Sequence, residues 1–262
     1  MVMGLSDLGS LGLDFVLGAV LGAVGGVFGI GGGLIAIPVL GWGFGMDQQM
    51  AQGTALVMVA PNVLLGFWRY KQRNPIAWPT VRVLGLSAIA SSWFAAHWAA
   101  SIGATQLRTA FAVFLLVMVG LILWGLRPRG AAAQAQDAQA AQRPVLGERW
   151  YPALGALSGV CSGFFTVGGG VVATPLLTSR LFGIQKQTLA QGLSLALVVP
   201  GSLMALVAYA QAGHVNWAMG LPMAAGGLLS ISWGVALAHS LPERLLRLAF
   251  CGLLSGTALA MF

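Results

Sequence analysis

Phe28-Gly29-Ile30-Gly31-Gly32-Gly33, followed by Pro38, lies inside the apolar run 11–42, and it has a second copy: Phe165-Thr166-Val167-Gly168-Gly169-Gly170, followed by Pro175. A glycine in a helix interior costs about 1 kcal/mol relative to alanine, so three in succession predict a break. Two such breaks in hydrophobic surroundings predict a polytopic chain whose helices are interrupted at a site of use.

Composition sets the class. Of 262 residues, 58% are hydrophobic and 7% charged, against roughly 25% charged in an ordinary soluble domain. Mean hydropathy is +0.85. The apolar runs approach the ~20 residues that a helix needs to cross a bilayer, and the fold class expected is an all-α polytopic membrane protein. The net charge of +7 does not point to nucleic acid, because the lysines and arginines lie between apolar runs, where they act as topology signals. Membrane lipid is the expected surrounding partner. Cys161 and Cys251 lie within apolar segments without CxxC or CxxH spacing, so neither a metal nor a cofactor is expected.

Outward from the glycines, the apolar segments fall at 11–42 (broken), 50–68, 80–100, 104–126, 152–179 (broken), 188–210, 217–238 and 243–262. Residues 1–126 form a first repeat, 127–150 an Ala/Gln-rich cytoplasmic linker, and 151–262 a second repeat. Shifting 18–40 by 137 gives eleven identities in 23 positions, the paired glycines and prolines among them. A shift of 139 then carries Ala51-Gln52-Gly53 onto Ala190-Gln191-Gly192, Pro61 onto Pro200, Tyr70 onto Tyr209, Trp78 onto Trp217 and Arg108 onto Arg247. Internal duplication of this kind is the sequence sign of a secondary transporter.

Positive charge orients the repeats. If all eight segments span, eight Lys and Arg fall on one side and five on the other. If segment five enters and leaves on the cytoplasmic side, twelve lie inside and only Arg108 outside. The positive-inside rule favours the second arrangement. By the repeat, segment one should follow, giving two inverted repeats, each a broken, re-entrant hairpin plus three transmembrane helices. Re-entrant backbone is tolerated where protein or a water-filled cavity surrounds it.

Short helices are expected to begin after the glycines, near Leu34 and Val171. The first N–H groups of a helix lack internal acceptors and carry the positive end of its dipole, so an anion fits there. Glycine permits φ > 0 and close approach of a ligand. The candidate substrate-binding residues are therefore Gly31, Gly32, Gly33, Gly168, Gly169 and Gly170. Gln52, Gln191 and Asn62 carry neutral amides that either donate to an oxyanion or bond between helices, and Thr166 is a weaker candidate. Gly18, Gly22 and Gly26, spaced by four, suit close helix crossing. No catalytic residue is expected. None of the six acids lies mid-segment, Asp14 near the start of the first segment coming nearest, so a carboxylate proton relay has no obvious members. A neutral site suits outward passage of an anion down an inside-negative potential, worth about 2.3 kcal/mol per charge per 100 mV.

With these motifs assembled, the chain resembles the TauE/SafE sulfite-exporter family. The resemblance rests on G-x-x-x-G-x-F-G-I-G-G-G-x-x-x-x-P-x-L from Gly22 to Leu40, its second copy from Gly159 to Leu177, and the Ala-Gln-Gly triplets. It implies export of sulfite or a small organosulfonate anion such as sulfoacetate across a bacterial inner membrane. The second copy has Thr166 and Val167 where Gly29 and Ile30 stand, so the halves are unequal and the anion stays open. The alternatives are uptake of sulfate or thiosulfate, and a membrane-embedded sulfur-metabolism enzyme with Cys161 as nucleophile. Cys161 has no neighbouring basic residue in sequence to lower its pKa.

Overall fold

The computed structural model describes residues 5–126, 148–166, 169–179, 181–184 and 186–261. Most of the linker 127–150 and, at the second break, Val167 and Gly168 lie outside them. Every regular element described is helical: α1 (Leu5–Phe28), α2 (Gly33–Phe44), α3 (Gln48–Arg73), α4 (Trp78–Ser101), α5 (Ala104–Leu126), a 3-10 turn at Glu148–Trp150, α6 (Tyr151–Phe165), α7 (Gly170–Thr178), α8 (Gln187–Gln211), α9 (Trp217–Ser240) and α10 (Glu243–Met261).

The duplication reappears in the helix boundaries. α1 and α6 both end on the phenylalanine before the break, and α2 and α7 both start on the third glycine, one residue earlier than the sequence suggested. α3 and α8 start at Gln48 and Gln187, 139 apart, and α4 and α9 start at Trp78 and Trp217 and end at Ser101 and Ser240, also 139 apart.

Six described stretches are long and apolar enough to cross a membrane: Leu11–Phe28, Gln48–Arg73, Trp78–Ser101, Ala104–Leu121, Gln187–Gln211 and Trp217–Ser240. This makes the protein a multi-pass membrane protein. The set differs from the expected one at both ends: it includes the first segment, and the last, 243–262, gives only the shorter apolar stretch Leu248–Leu259, outside the six. α1 has 24 residues, about 36 Å of helix at 1.5 Å per residue, so by length it is a span as well as a possible hairpin arm. Its counterpart α6 has 15 residues and α7 has nine. At about 22 and 14 Å, neither crosses the ~30 Å hydrocarbon core alone.

The two halves pack by exchange. α1 lies along α9 and α4 along α6, while α3 and α8 face each other at the centre and α5 pairs with α10. Small residues make this closeness possible, because helices in lipid associate by packing rather than by the hydrophobic effect. A Cβ on Gly22 would stand 2.5 Å from the Gly227 Cα, and one on Gly26 2.5 Å from the Ile231 carbonyl oxygen. Gly155, Gly159 and Gly163 press the same way against Ser87, Ala88, Ser91 and Ser92 of α4. α3 and α8 are the most enclosed helices, with Met58, Val59, Val63, Leu195, Leu197 and Val198 in the core. Trp42, Trp68, Trp78, Trp98 and Trp150 are exposed near helix ends, as interfacial anchors are.

Candidate functional site

The first break turns through three left-handed glycines, Gly29 (φ 67°), Gly31 (φ 73°) and Gly32 (φ 93°). The Ile30 and Gly31 N–H groups both donate to the Gly25 carbonyl, at 3.0 and 3.4 Å, which closes α1. Gly32 then serves as the N-cap of α2 without any side-chain cap. The N–H groups of Gly33, Leu34 and Ile35 consequently begin α2 with no acceptor inside the helix. Space is minimal here: a Cβ on Gly32 would lie 2.6 Å from the Leu21 carbonyl oxygen, and one on Gly31 would overlap Val63.

The second break leaves its helix in the same way, with another residue. Thr166 caps α6 at φ 55°, the position of Gly29 by the 137 shift. It is the one non-glycine with positive φ among the described residues, and such a conformation costs a β-branched residue about 1–3 kcal/mol. Its N–H donates to the Ser162 carbonyl at 2.9 Å and its hydroxyl to the Phe165 carbonyl at 2.7 Å. Gly169 caps α7 in an ordinary right-handed conformation. Gly168 lies outside the described residues.

The breaks meet. A Cβ on Gly170 would stand 3.1 Å from the Gly29 carbonyl oxygen, and one on Gly29 would stand 3.1 Å from the Gln191 Cβ. Thus Gln191, from the second repeat, lies against the break of the first. Its Oε1 is 3.0 Å from the Tyr70 hydroxyl, and its Nε2 donates to the Val27 carbonyl at 3.3 Å. The Tyr70 hydroxyl is also 3.0 Å from the Gly26 carbonyl, so two acceptors compete for one hydrogen.

Gln52 answers in mirror fashion. The hydroxyl of Tyr209, the repeat partner of Tyr70, donates to Gln52 Oε1 at 2.6 Å. Tyr209 packs in a small cluster with Phe164, beside the second break. Unlike Gln191, Gln52 keeps an unpartnered Nε2 at 0% exposure. Asn62, also at 0%, has neither Nδ2 nor Oδ1 partnered, and it stands against Gly227 of α9, where a Cβ would overlap it. Buried donors without acceptors cost about 1–3 kcal/mol each, so these atoms mark the region where polar chemistry is concentrated.

The structure therefore brings together Gly29, Gly31, Gly32, Gly33, Gly170 and Gln191, with Gln52 one tyrosine contact from the second break. Tyr70 and Tyr209 were visible in the sequence only as a matched pair. Ser158 and Ser162, buried on α6 with unpartnered hydroxyls, had no signal there, since the repeat places Leu21 and Gly25 opposite them. His97 is exposed and bonds to the Trp93 carbonyl of its own helix. Arg108 is exposed at the start of α5.

Comparison with known proteins places this geometry in context. Curated relatives include two named "Probable membrane transporter protein". One is from Xylella fastidiosa (strain Temecula1), 28% identical over 88% of this chain and 85% of its own length. The other is from Methanocaldococcus jannaschii, 24% identical over 96% and 95%. A third relative so named, from Bacillus subtilis, is 22% identical over 85% and 86%. No solved structure matches the chain significantly. The family model described as "Sulfite exporter TauE/SafE" matches residues 14–261, and with paired glycine breaks at the centre of a multi-pass helical fold, the chain belongs to the TauE/SafE family of membrane transporters.

Proposed function

We propose that the protein exports sulfite or a small organosulfonate anion such as sulfoacetate across the bacterial inner membrane, and that the two breaks form its substrate site. The observation that carries this reading is the contact of Gly29 with Gly170, which sets two uncapped helix starts beside buried amides. Helix N-termini and amide N–H groups attract an anion without the cost of burying a cation in the membrane. The sulfur oxyanion comes from the family description, with which an anion-selective site agrees.

Gln52, Gln191, Thr166 and Asn62 are all buried, so the site is occluded on both sides and passage requires rearrangement, as in alternating access. Pro61 and Pro200 interrupt α3 and α8 at repeat-related positions and remove one backbone hydrogen bond each, which suits them as flexing points. The inverted arrangement, with both broken segments re-entrant, remains part of this proposal. The shortness of α6 and α7 supports it for the second.

The test is flux from proteoliposomes loaded with sulfite, sulfoacetate, sulfate or thiosulfate, with an imposed potential and no pH gradient. Potential-driven efflux of sulfite or sulfoacetate is expected. A second reading, coupled uptake, draws on Asp14, the one acid in a described candidate span and a buried one. Flux that requires a proton gradient and disappears in Asp14→Asn would replace export with coupled uptake.

A further inference from the structure

We infer that the anion is held at the second break, by the hydroxyls of Ser158 and Ser162 acting with the first-turn amides of α7, and that the first break shapes the site without binding. This rests on the reading of the breaks as an anion site and decides which of them does the binding.

A serine in a helix normally spends its hydroxyl on the carbonyl three or four residues back. Ser87, Ser91, Ser202 and Ser230 all do so here. Ser158 and Ser162 do not. Each is 1% exposed, and neither Oγ has a partner, an arrangement that folding alone disfavours. They stand one helical turn apart on the same face of α6.

Ser158 is aimed at the start of α7. A Cβ on Gly169, the N-cap, would overlap the Ser158 hydroxyl and come within 2.5 Å of the Ser158 carbonyl oxygen. Ser162 Oγ lies 2.9 Å from the point where a Cβ on Gly201 would stand, with Ser92 Oγ 3.6 Å from that point. Ser92 is already committed, donating to the Gly201 carbonyl at 2.8 Å. Val172 N–H reaches back to the Gly169 carbonyl at 3.2 Å, whereas the N–H groups of Gly170 and Val171 precede any acceptor in the helix. The Ser158 hydroxyl thus faces a helix start whose first two N–H groups have no acceptor within the helix, and the Ser162 hydroxyl lies one turn along α6, against Gly201.

The first break has first-turn amides of its own, but among the described residues no unpartnered serine hydroxyl stands beside them. The 137 shift sets Leu21 and Gly25 where Ser158 and Ser162 stand. Gly32 faces the Leu21 carbonyl and the Met58 methyl (3.2 Å), and Gly31 faces Val59 and Val63. That lining is hydrocarbon and carbonyl oxygen, which repels an anion. Several fixed neutral donors fit a compact group offering three oxygens, the chemistry of sulfite or a sulfonate.

The test uses the purified full-length protein, with the rise in thermal midpoint against sulfite or sulfoacetate concentration giving an apparent Kd. Ser158→Ala and Ser162→Ala should each weaken that Kd roughly tenfold, the scale of a hydrogen bond to a charged group. The midpoint without anion should stay level or rise, which a merely structural serine would not show. Ser158→Cys and Ser162→Cys, which keep the volume and lose donor strength, should behave likewise. Ser87→Ala and Ser91→Ala should leave the Kd unchanged. Unchanged binding in the Ser158 and Ser162 variants, with binding lost in Gln52→Leu, would overturn this inference while the anion-site reading stands. No midpoint shift and no flux for wild type with either anion would overturn both.

Discussion

At the first break the chain leaves α1 through Gly29 at φ 67°, and at the second it leaves α6 through Thr166 at φ 55°. The backbone solves one problem twice, but the side chains around it diverge. The first solution is relaxed in conformation and lined with hydrocarbon. The second holds a threonine in a left-handed conformation and keeps two serine hydroxyls unspent. Strain and unpaired donors persist where surrounding structure enforces them, and they cluster at sites of function. The same divergence recurs in the amides, since both polar atoms of Gln191 have a partner while Gln52 retains an unpartnered, buried Nε2. The repeats share a frame, and the unpaired serine hydroxyls fall where the two copies depart from each other.

The largest effect should come from Gly32→Ala. At φ 93° its new Cβ would sit 2.6 Å from a backbone oxygen, and a cost of about 3 kcal/mol or more should abolish monodisperse protein in detergent. Exchanging the two exit residues sharpens the contrast. Gly29→Thr should lower stability by about 1–3 kcal/mol, because it adds left-handed strain and crowds Gln191. Thr166→Gly should change stability by about 1 kcal/mol at most, relieved strain being offset by glycine's entropy. Equal losses in a thermal-unfolding comparison would mean that Thr166 carries no strain.

The tyrosines come next. Tyr209→Phe removes the one described bond to Gln52 and should cost about 1–3 kcal/mol. Tyr70→Phe leaves Gln191 bonded to Val27, so about 1 kcal/mol is expected. Asn62→Leu separates stability from transport. Both polar atoms of Asn62 are unpartnered, so the thermal midpoint should hold or rise. Flux should fall if the amide meets the anion on its path, and undiminished flux would remove Asn62 from the site. The smallest effect belongs to His97→Ala. Its ring is exposed, and stability should move by no more than about 0.5 kcal/mol, with flux unchanged.

Much of this was legible before any coordinates. Three consecutive glycines end a helix by local energetics alone, so the breaks could be read from Gly31–Gly33 and Gly168–Gly170, and helix starts were placed to within one residue. Apolar length and charge placement identified a multi-pass membrane protein. The role of Gly18, Gly22 and Gly26 in close crossing followed from spacing, and the structure sets them against α9. What spacing did not reveal was partnership. Nothing in the chain order says that α1 lies along the second repeat's α9, or that Tyr70 reaches Gln191 while Tyr209 reaches Gln52.

The sequence by itself thus determined the membrane class, the duplication, the two breaks and the family. Each depends on local propensity or on a periodic pattern that survives without neighbours. Only the tertiary structure decided that the breaks touch through Gly29 and Gly170, that Thr166 stands in for a left-handed glycine, and that the hydroxyls of Ser158 and Ser162 are left unpartnered. Whether a hydroxyl is spent or free depends on rotamer and enclosure, and these are set by helices packed from opposite ends of the chain.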